Sequence, residues 1–238
     1  MNTILLSKTR SFRSLAFLGF SIMAALPLHA LPVRILAWDE EVAEMRLNLV
    51  DSKGSVPVSA MHPAKRTPIY NLSLGEKPPV VETPDRKDAE GKPFTSEIRI
   101  PSGMRQPLLV VLPDAKASSG IRLLVLEDDS TSFGWGNTRF INATGKELVF
   151  AYEKKAVAIP PSWNAVDANP GGSERNMEVK LFYRDRPERA FYSAIWEQKP
   201  DLRMLVFLVP GEDDRLGPVA FKMIPEDRRL LKAPMADP

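Results

Sequence analysis

The chain has 238 residues, with 32 Lys and Arg against 30 Asp and Glu, 22 Pro, 13 Gly, two His and no Cys. That length admits one large domain or two small ones, and 44% apolar with 26% charged residues is the make-up of a globular protein. The missing Cys excludes a disulfide framework, a Cys-ligated metal, a thiol nucleophile and a lipid anchor on an N-terminal Cys, and two His leave little room for His-based catalysis or zinc.

Residues 1–30 read as an export signal. Lys8, Arg10 and Arg13 form a basic segment, and no acidic residue precedes Asp39. Ser14–Leu26 is an apolar run of 13 residues, short of the ~20 that a membrane span needs. Leu28-His29-Ala30 offers a small residue to a signal peptidase, so cleavage before Leu31 is expected, through the general secretory route. Cleavage removes three cations, leaving 29 positive against 30 negative side chains, a net charge of −1. The expected mature protein therefore has no basic excess for nucleic acid and no stable membrane span.

Beyond the signal, Pro accounts for 21 of 208 residues, about twice the usual ~5% share. Pro breaks helix interiors, so this density predicts short strands joined by stiff turns. Met45, Leu47 and Leu49 alternate with Glu44, Arg46 and Asn48 as in a half-buried strand, although Asp39–Asn48 also admits a short helix. Asp51-Ser52-Lys53-Gly54, followed by Val56 and Val58, reads as a hairpin. A second hairpin is expected from Thr138–Ile141 through Asn142-Ala143-Thr144-Gly145 to Glu147–Tyr152. Met177, Val179, Leu181 and Tyr183 alternate with charged neighbours as a further strand.

The chain also echoes itself. At an offset of 97, Phe94, Ser96, Ile98, Leu108 and Pro113 meet Phe191, Ser193, Ile195, Leu205 and Pro210. Each segment leads into a polar loop, an apolar strand (Ile121–Leu126; Val219–Ile224) and an acidic pair, Glu127-Asp128 or Glu226-Asp227. The openings match too, Val33-Arg34-Ile35-Leu36-Ala37 beside Thr138-Arg139-Phe140-Ile141-Asn142. A period near 100 residues fits a duplicated sandwich domain and not a solenoid. The expected architecture is all-β, with two tandem immunoglobulin-like β-sandwich units over residues 31–131 and 132–230 and a tail over 231–238. Leu108–Leu112 and Leu205–Val209 would be central strands buried on both faces.

Arg139–Leu148, followed by Ile159-Pro160-Pro161, resembles the opening of exported bacterial proteins of unknown function built from immunoglobulin-like or pilus-chaperone-like β-domains. The resemblance covers about 25 residues and implies a sandwich. The residues with which a pilus chaperone captures a subunit's C-terminus are not evident, so that activity does not carry over.

No catalytic residue stands out. His62, alone after cleavage, sits in Met61-His62-Pro63 with no marked serine partner, as a solvated turn histidine does. Glu212-Asp213-Asp214 between glycines, and Asp85, Asp88 and Glu90 before Gly91, offer oxygens but lack the alternating spacing of a calcium loop. No phosphate-binding or dinucleotide glycine motif is present, and no cofactor is expected. Aromatic residues are the better lead. Phe133 and Trp135, among glycines at the expected boundary, and Trp163, in a Pro-rich turn, are candidate binding rings, with Trp38 and Trp196 read as strand core and Trp135 alternatively as a plug between units. The expected role is non-catalytic binding or scaffolding in the periplasm or outside the cell, on an envelope protein or glycan. The alternative is a carboxylate-dependent hydrolase of envelope polysaccharide.

Overall fold

The computed structural model describes residues 30–213, 215 and 217–231, so all of the expected signal segment 1–30 but Ala30, together with Asp214, Leu216 and most of the tail, lies outside it. The first unit contains β1 (Ala30–Ala37), a single-turn helix α1 (Glu40–Glu44), β2 (Asn48–Asp51), β3 (Gly54–Pro57) and β4 (Tyr70–Ser73). It continues with β5 (Val80–Lys87), β6 (Pro93–Glu97), β7 (Pro107–Pro113) and β8 (Ile121–Glu127). The second unit repeats the series with β9 (Thr138–Asn142), β10 (Leu148–Tyr152), β11 (Lys155–Ile159) and β12 (Ala165–Ala168). It ends with β13 (Arg175–Tyr183), β14 (Ala190–Gln198), β15 (Leu202–Pro210), β16 (Val219–Asp227) and a short α2 (Arg228–Leu231).

The protein is all-β, and its two units share one topology. Unit 1 has sheets ordered β4-β1-β7-β8 and β3-β2-β5-β6; unit 2 has β12-β9-β15-β16 and β11-β10-β13-β14. Adding eight to each strand number converts one pair of sheets into the other. Both are sandwiches of the layered kind that immunoglobulin-like domains share, with eight strands apiece and a parallel contact between first and seventh strands. That contact carries the duplication to the residue level. Arg34 lies opposite Leu108 in the β1–β7 ladder, and Arg139 lies opposite Leu205 in the β9–β15 ladder. Leu108 and Leu205 are the pair matched by the offset of 97, and Arg34 and Arg139 match in the two openings.

Three apolar cores give the layering. Val33, Ile35, Leu49, Val81, Leu109 and Val111 fill the space between the sheets of unit 1. Phe140, Phe150, Val179, Leu181, Val206 and Leu208 do so in unit 2. Between the units, Leu36, Leu108, Val110 and Leu112 meet Ile141, Leu205, Phe207 and Ile224. Successive strand residues point to opposite faces, so β7 and β15 serve two cores each. This is why their sequences are continuously apolar. The four sheets thus stack in one pile, with the β7 and β15 sheets in the middle.

Two local expectations are corrected. The strand expected over Met45–Leu49 begins only at Asn48, and residues 40–44 form the short helix. Asp39 caps it by accepting a hydrogen bond from the Val42 amide at 2.9 Å, leaving Val42 to reach the core. The hairpin expected over Thr138–Tyr152 is a crossover between sheets, since β9 pairs with β12 and β15 while β10 pairs with β11 and β13. Asn142 bridges the change. Its Nδ2 donates to the carbonyls of Lys146 (2.8 Å) and Ile159 (2.9 Å), and its Oδ1 accepts from the Thr144 amide (3.0 Å). The expected hairpin at Asp51–Gly54 does form, with Gly54 at φ +139°, a conformation open to glycine.

The middle core makes a sharp prediction. Phe207 is fully buried there and meets the Trp38 ring edge-on at 5.2 Å. Phe207→Ala should lower the unfolding free energy by about 3–5 kcal/mol, read from chemical denaturation, although Phe207 belongs to neither unit's own core.

Candidate functional site

The segment between β8 and β9 carries two of the expected binding residues, and the structure uses it as mortar. Its anchors are arginines. Arg203 Nη1 donates to the carbonyls of Asp128 (2.9 Å) and Phe133 (3.0 Å). Arg139 donates to the carbonyls of Glu127 and Ser132 and grips Asp167 through two bonds of 2.6 Å. Both guanidinium groups pack on the Phe133 ring, Arg139 at 4.5 Å and Arg203 at 5.0 Å from its centroid. Phe133 has no exposed surface, which corrects its expected role as an exposed binding ring. Trp135 is half-buried with Arg203 over its ring at 4.8 Å, and Trp163 is half-buried against the middle core with Arg122 over it at 5.3 Å. Trp38, just beyond β1, joins the same core, and Trp196 on β14 packs on the core of unit 2.

Behind Phe133 lies a buried ionic cluster of Arg34, Arg66, Arg203, Asp128 and Glu226. Arg66 forks onto Asp128 with bonds of 2.9 and 3.0 Å, Arg203 Nε donates to Glu226 at 2.6 Å, and Arg34 bridges both carboxylates. Asp128 and Glu226 are the acidic residues that close the two echoed segments, so the duplication places one carboxylate from each unit at the junction. Burial alone would push both carboxyls up. Arg66, with Arg203 and Arg34, outweighs burial and holds both below the ordinary carboxylate range. Burial pulls the Arg203 guanidinium down despite these partners, whereas Asp128 and Glu226 hold Arg34 above its usual value.

The other marked surface is the open side of unit 2. There β14 and β16 are both edge strands, each paired on one side only. Tyr192 and Phe221 meet across the sandwich with ring centroids 4.6 Å apart, and the Trp196 indole donates to the Tyr192 hydroxyl at 2.9 Å. Beside this bridge opens a cleft of about 420 Å³ lined by Met177, Ile195, Trp196, Leu202, Met204 and Met223. Ile195 is 64% exposed and Met223 37%. The equivalent edge in unit 1 differs. There β6 stops at Glu97, and Ile98, matched to Ile195 by the echo, is only 2% exposed in the core. In unit 2 the strand runs nine residues, and its isoleucine faces solvent. Sequence reasoning placed Trp196 in the core and missed this edge, because the echo matches Ile98 with Ile195 although they face opposite ways, and it is Tyr192, Ala194 and Trp196 that point inward from β14.

The remaining candidates have local roles. Asp213 is held by Arg215 through bonds of 2.7 to 3.2 Å, while Glu212 lines a neighbouring cleft with Phe191, Tyr192 and Phe221; Asp214 lies outside the described residues. Asp85 pairs with Arg46, and Asp88 accepts the amides of Glu90 and Lys92 at 2.9 Å within its turn. His62 Nδ1 accepts from the Ala64 amide at 2.9 Å. Among the described residues no three His, Asp or Glu converge as a metal site, and no helix is long and apolar enough to cross a membrane.

The fold therefore defines a tandem, internally duplicated β-sandwich protein. Compared with known protein families and with curated proteins, the chain matches none.

The cluster sets the acid response. A carboxyl depressed in the folded state stabilises above its unfolded value, about 3.9–4.3, and that stability is lost as pH falls through the lower folded value. The melting temperature should hold from neutrality to about pH 4 and drop below it. Asp128→Asn leaves the arginines underpaid in charge and should cost about 3–5 kcal/mol at neutral pH, with a flatter acid limb in a pH series of thermal melts.

Proposed function

We propose that this is an exported, non-catalytic binding or scaffolding protein of the cell envelope that engages a partner protein through the open side of unit 2. One observation carries the reading. The two units are copies of one fold and both leave their sixth strand at a sheet edge, yet β6 has five residues and begins at a proline, whereas β14 runs nine residues, exposes Ile195 and lies beside a methionine-lined cleft. What both copies keep is what the fold requires. An exposed isoleucine on an unprotected edge is a hazard that folds ordinarily remove, so its presence in one copy favours recognition. Methionine side chains adapt to varied apolar surfaces, and a free strand edge supplies main-chain donors and acceptors to an extended segment. Both features suit a polypeptide better than a glycan.

The chemistry of the carboxylates supports binding over hydrolysis. A glycosidase needs one carboxyl raised so that it can act as an acid. Asp128 and Glu226 are locked by arginines and held low, and hydrogen bonding from Lys199 lowers Glu197 beside the cleft. Export rests on the basic and apolar segment before Leu31.

The test uses a fluorescent ten-residue peptide of alternating valine and threonine as an extended apolar probe. It should bind with little change between about 0.1 and 1 M salt, where the Debye length falls from about 10 to 3 Å. Met223→Lys should weaken it about tenfold or more, a loss of ~1.4 kcal/mol. In the same preparation, N-terminal sequencing of the exported protein should begin at Leu31. A probe that binds equally well to Met223→Lys contradicts the site, and a retained Met1 contradicts export by cleavage.

A further inference from the structure

We infer that the partner of the β14 edge is a second copy of this chain, joined by antiparallel pairing of the two β14 strands about a two-fold axis at Ile195. The inference rests on the proposed binding role of the open side of unit 2.

The register follows from the strand itself. β14 pairs regularly with β13 from Tyr192 to Gln198, and the ladder shifts next to Phe191, where Leu181 meets Tyr192 but Phe182 meets Ala190. The regular stretch is centred on Ile195, the most exposed large apolar residue on any described strand. Antiparallel self-pairing over that stretch sets Ile195 against Ile195, Ala194 against Trp196, Ser193 against Glu197 and Tyr192 against Gln198. Each large residue beside the axis meets a small one, and no two like charges face each other.

The charges on the neighbouring strand complete the match. On β13, Glu178 lies beside Ile195 and Lys180 beside Ser193. In the paired sheet one row therefore runs Lys180, Ser193, then Glu197 of the second copy, so a cation and an anion flank a small serine, each already paired in its own chain, Lys180 with Glu178 at 2.7 Å and Glu197 with Lys199 at 2.8 Å. The same row recurs on the other side of the axis. The two exposed isoleucines cover each other at the centre with Glu178 outside each, and a Lys180–Glu197 row lies on either side of them. A closed two-fold pairing also removes the free edge from both copies, which an open chain of partners would not do. Unit 1 lacks the means, since β6 has five residues, begins at Pro93 and turns Ile98 into its core.

The missing cysteines allow a direct test on the full chain. Opposed residues of an antiparallel pair have Cα atoms about 4.5–5.5 Å apart, within disulfide reach. Ile195→Cys should therefore oxidise to a covalent dimer. Ser193→Cys alone should not, because its opposite number is Glu197, whereas Ser193→Cys with Glu197→Cys should. In sedimentation, the unmodified chain should be a dimer that dissociates on dilution. Ile195→Lys should be monomeric with unchanged circular dichroism, and Val56→Lys, at an exposed position on β3 of unit 1, should remain dimeric. A chain monomeric at every concentration, or an Ile195→Cys thiol that stays free, overturns the inference. If that monomer still binds the valine–threonine peptide in a Met223-dependent way, the dimer is wrong and the binding role stands. If it binds no peptide either, both fail together.

Discussion

Everything in this molecule hangs on the face shared by the two central sheets. A sandwich ordinarily buries one face of each sheet and wets the other. Here the β7 and β15 sheets give up their outer faces to each other, so Leu108, Val110 and Leu112 meet Leu205 and Phe207 in a third core. Four layers result from two sandwiches. The arrangement explains why the two strands carry apolar residues at consecutive positions, and why the segment joining the units is pinned and not free.

The ionic cluster belongs to the same face. Three arginines and two carboxylates withdrawn from water are costly unless each charge finds several partners. Arg203 answers this by spending its donors on Glu226 and on two carbonyls of the connecting segment. Because Asp128 comes from the end of unit 1 and Glu226 from the end of unit 2, the cluster fixes which residues of the two sheets meet. The aromatic rings Phe133 and Trp135 cap it under the same guanidinium groups. Rings that sit among glycines at a boundary thus became part of the joint, and the surface that differs between the copies lies elsewhere.

Much of the architecture was legible in the residues. The offset of 97 marked β7 and β15 as equivalents, and the paired openings marked Arg34 and Arg139, because duplicated strands keep their apolar pattern and register. The Pro content spoke against helices, correctly at the scale of the fold. The crossover at Asn142 was not legible, since Asn-Ala-Thr-Gly between two strands looks like a hairpin turn until the asparagine is seen bonding across two sheets. The burial of Phe133 was hidden for a related reason. Nothing local shows that Arg139 and Arg203 converge on one ring. The free edge of unit 2 was harder still, because Ser96 and Ser193, or Ile98 and Ile195, are identical letters that face opposite ways: Ser96 and Ile98 lie on the core side of unit 1, whereas Tyr192, Ala194 and Trp196 take that side in unit 2.

The two units are one body, joined through their central strands. Native-state hydrogen exchange of backbone amides in β7 and β15 tests this most directly. Both strands should exchange only through global unfolding, with the same free energy and the same denaturant dependence, as the slowest amides in the protein. If the amides of one strand exchange through a cheaper, partial opening that leaves the other protected, the units unfold separately and the shared core does not hold them together.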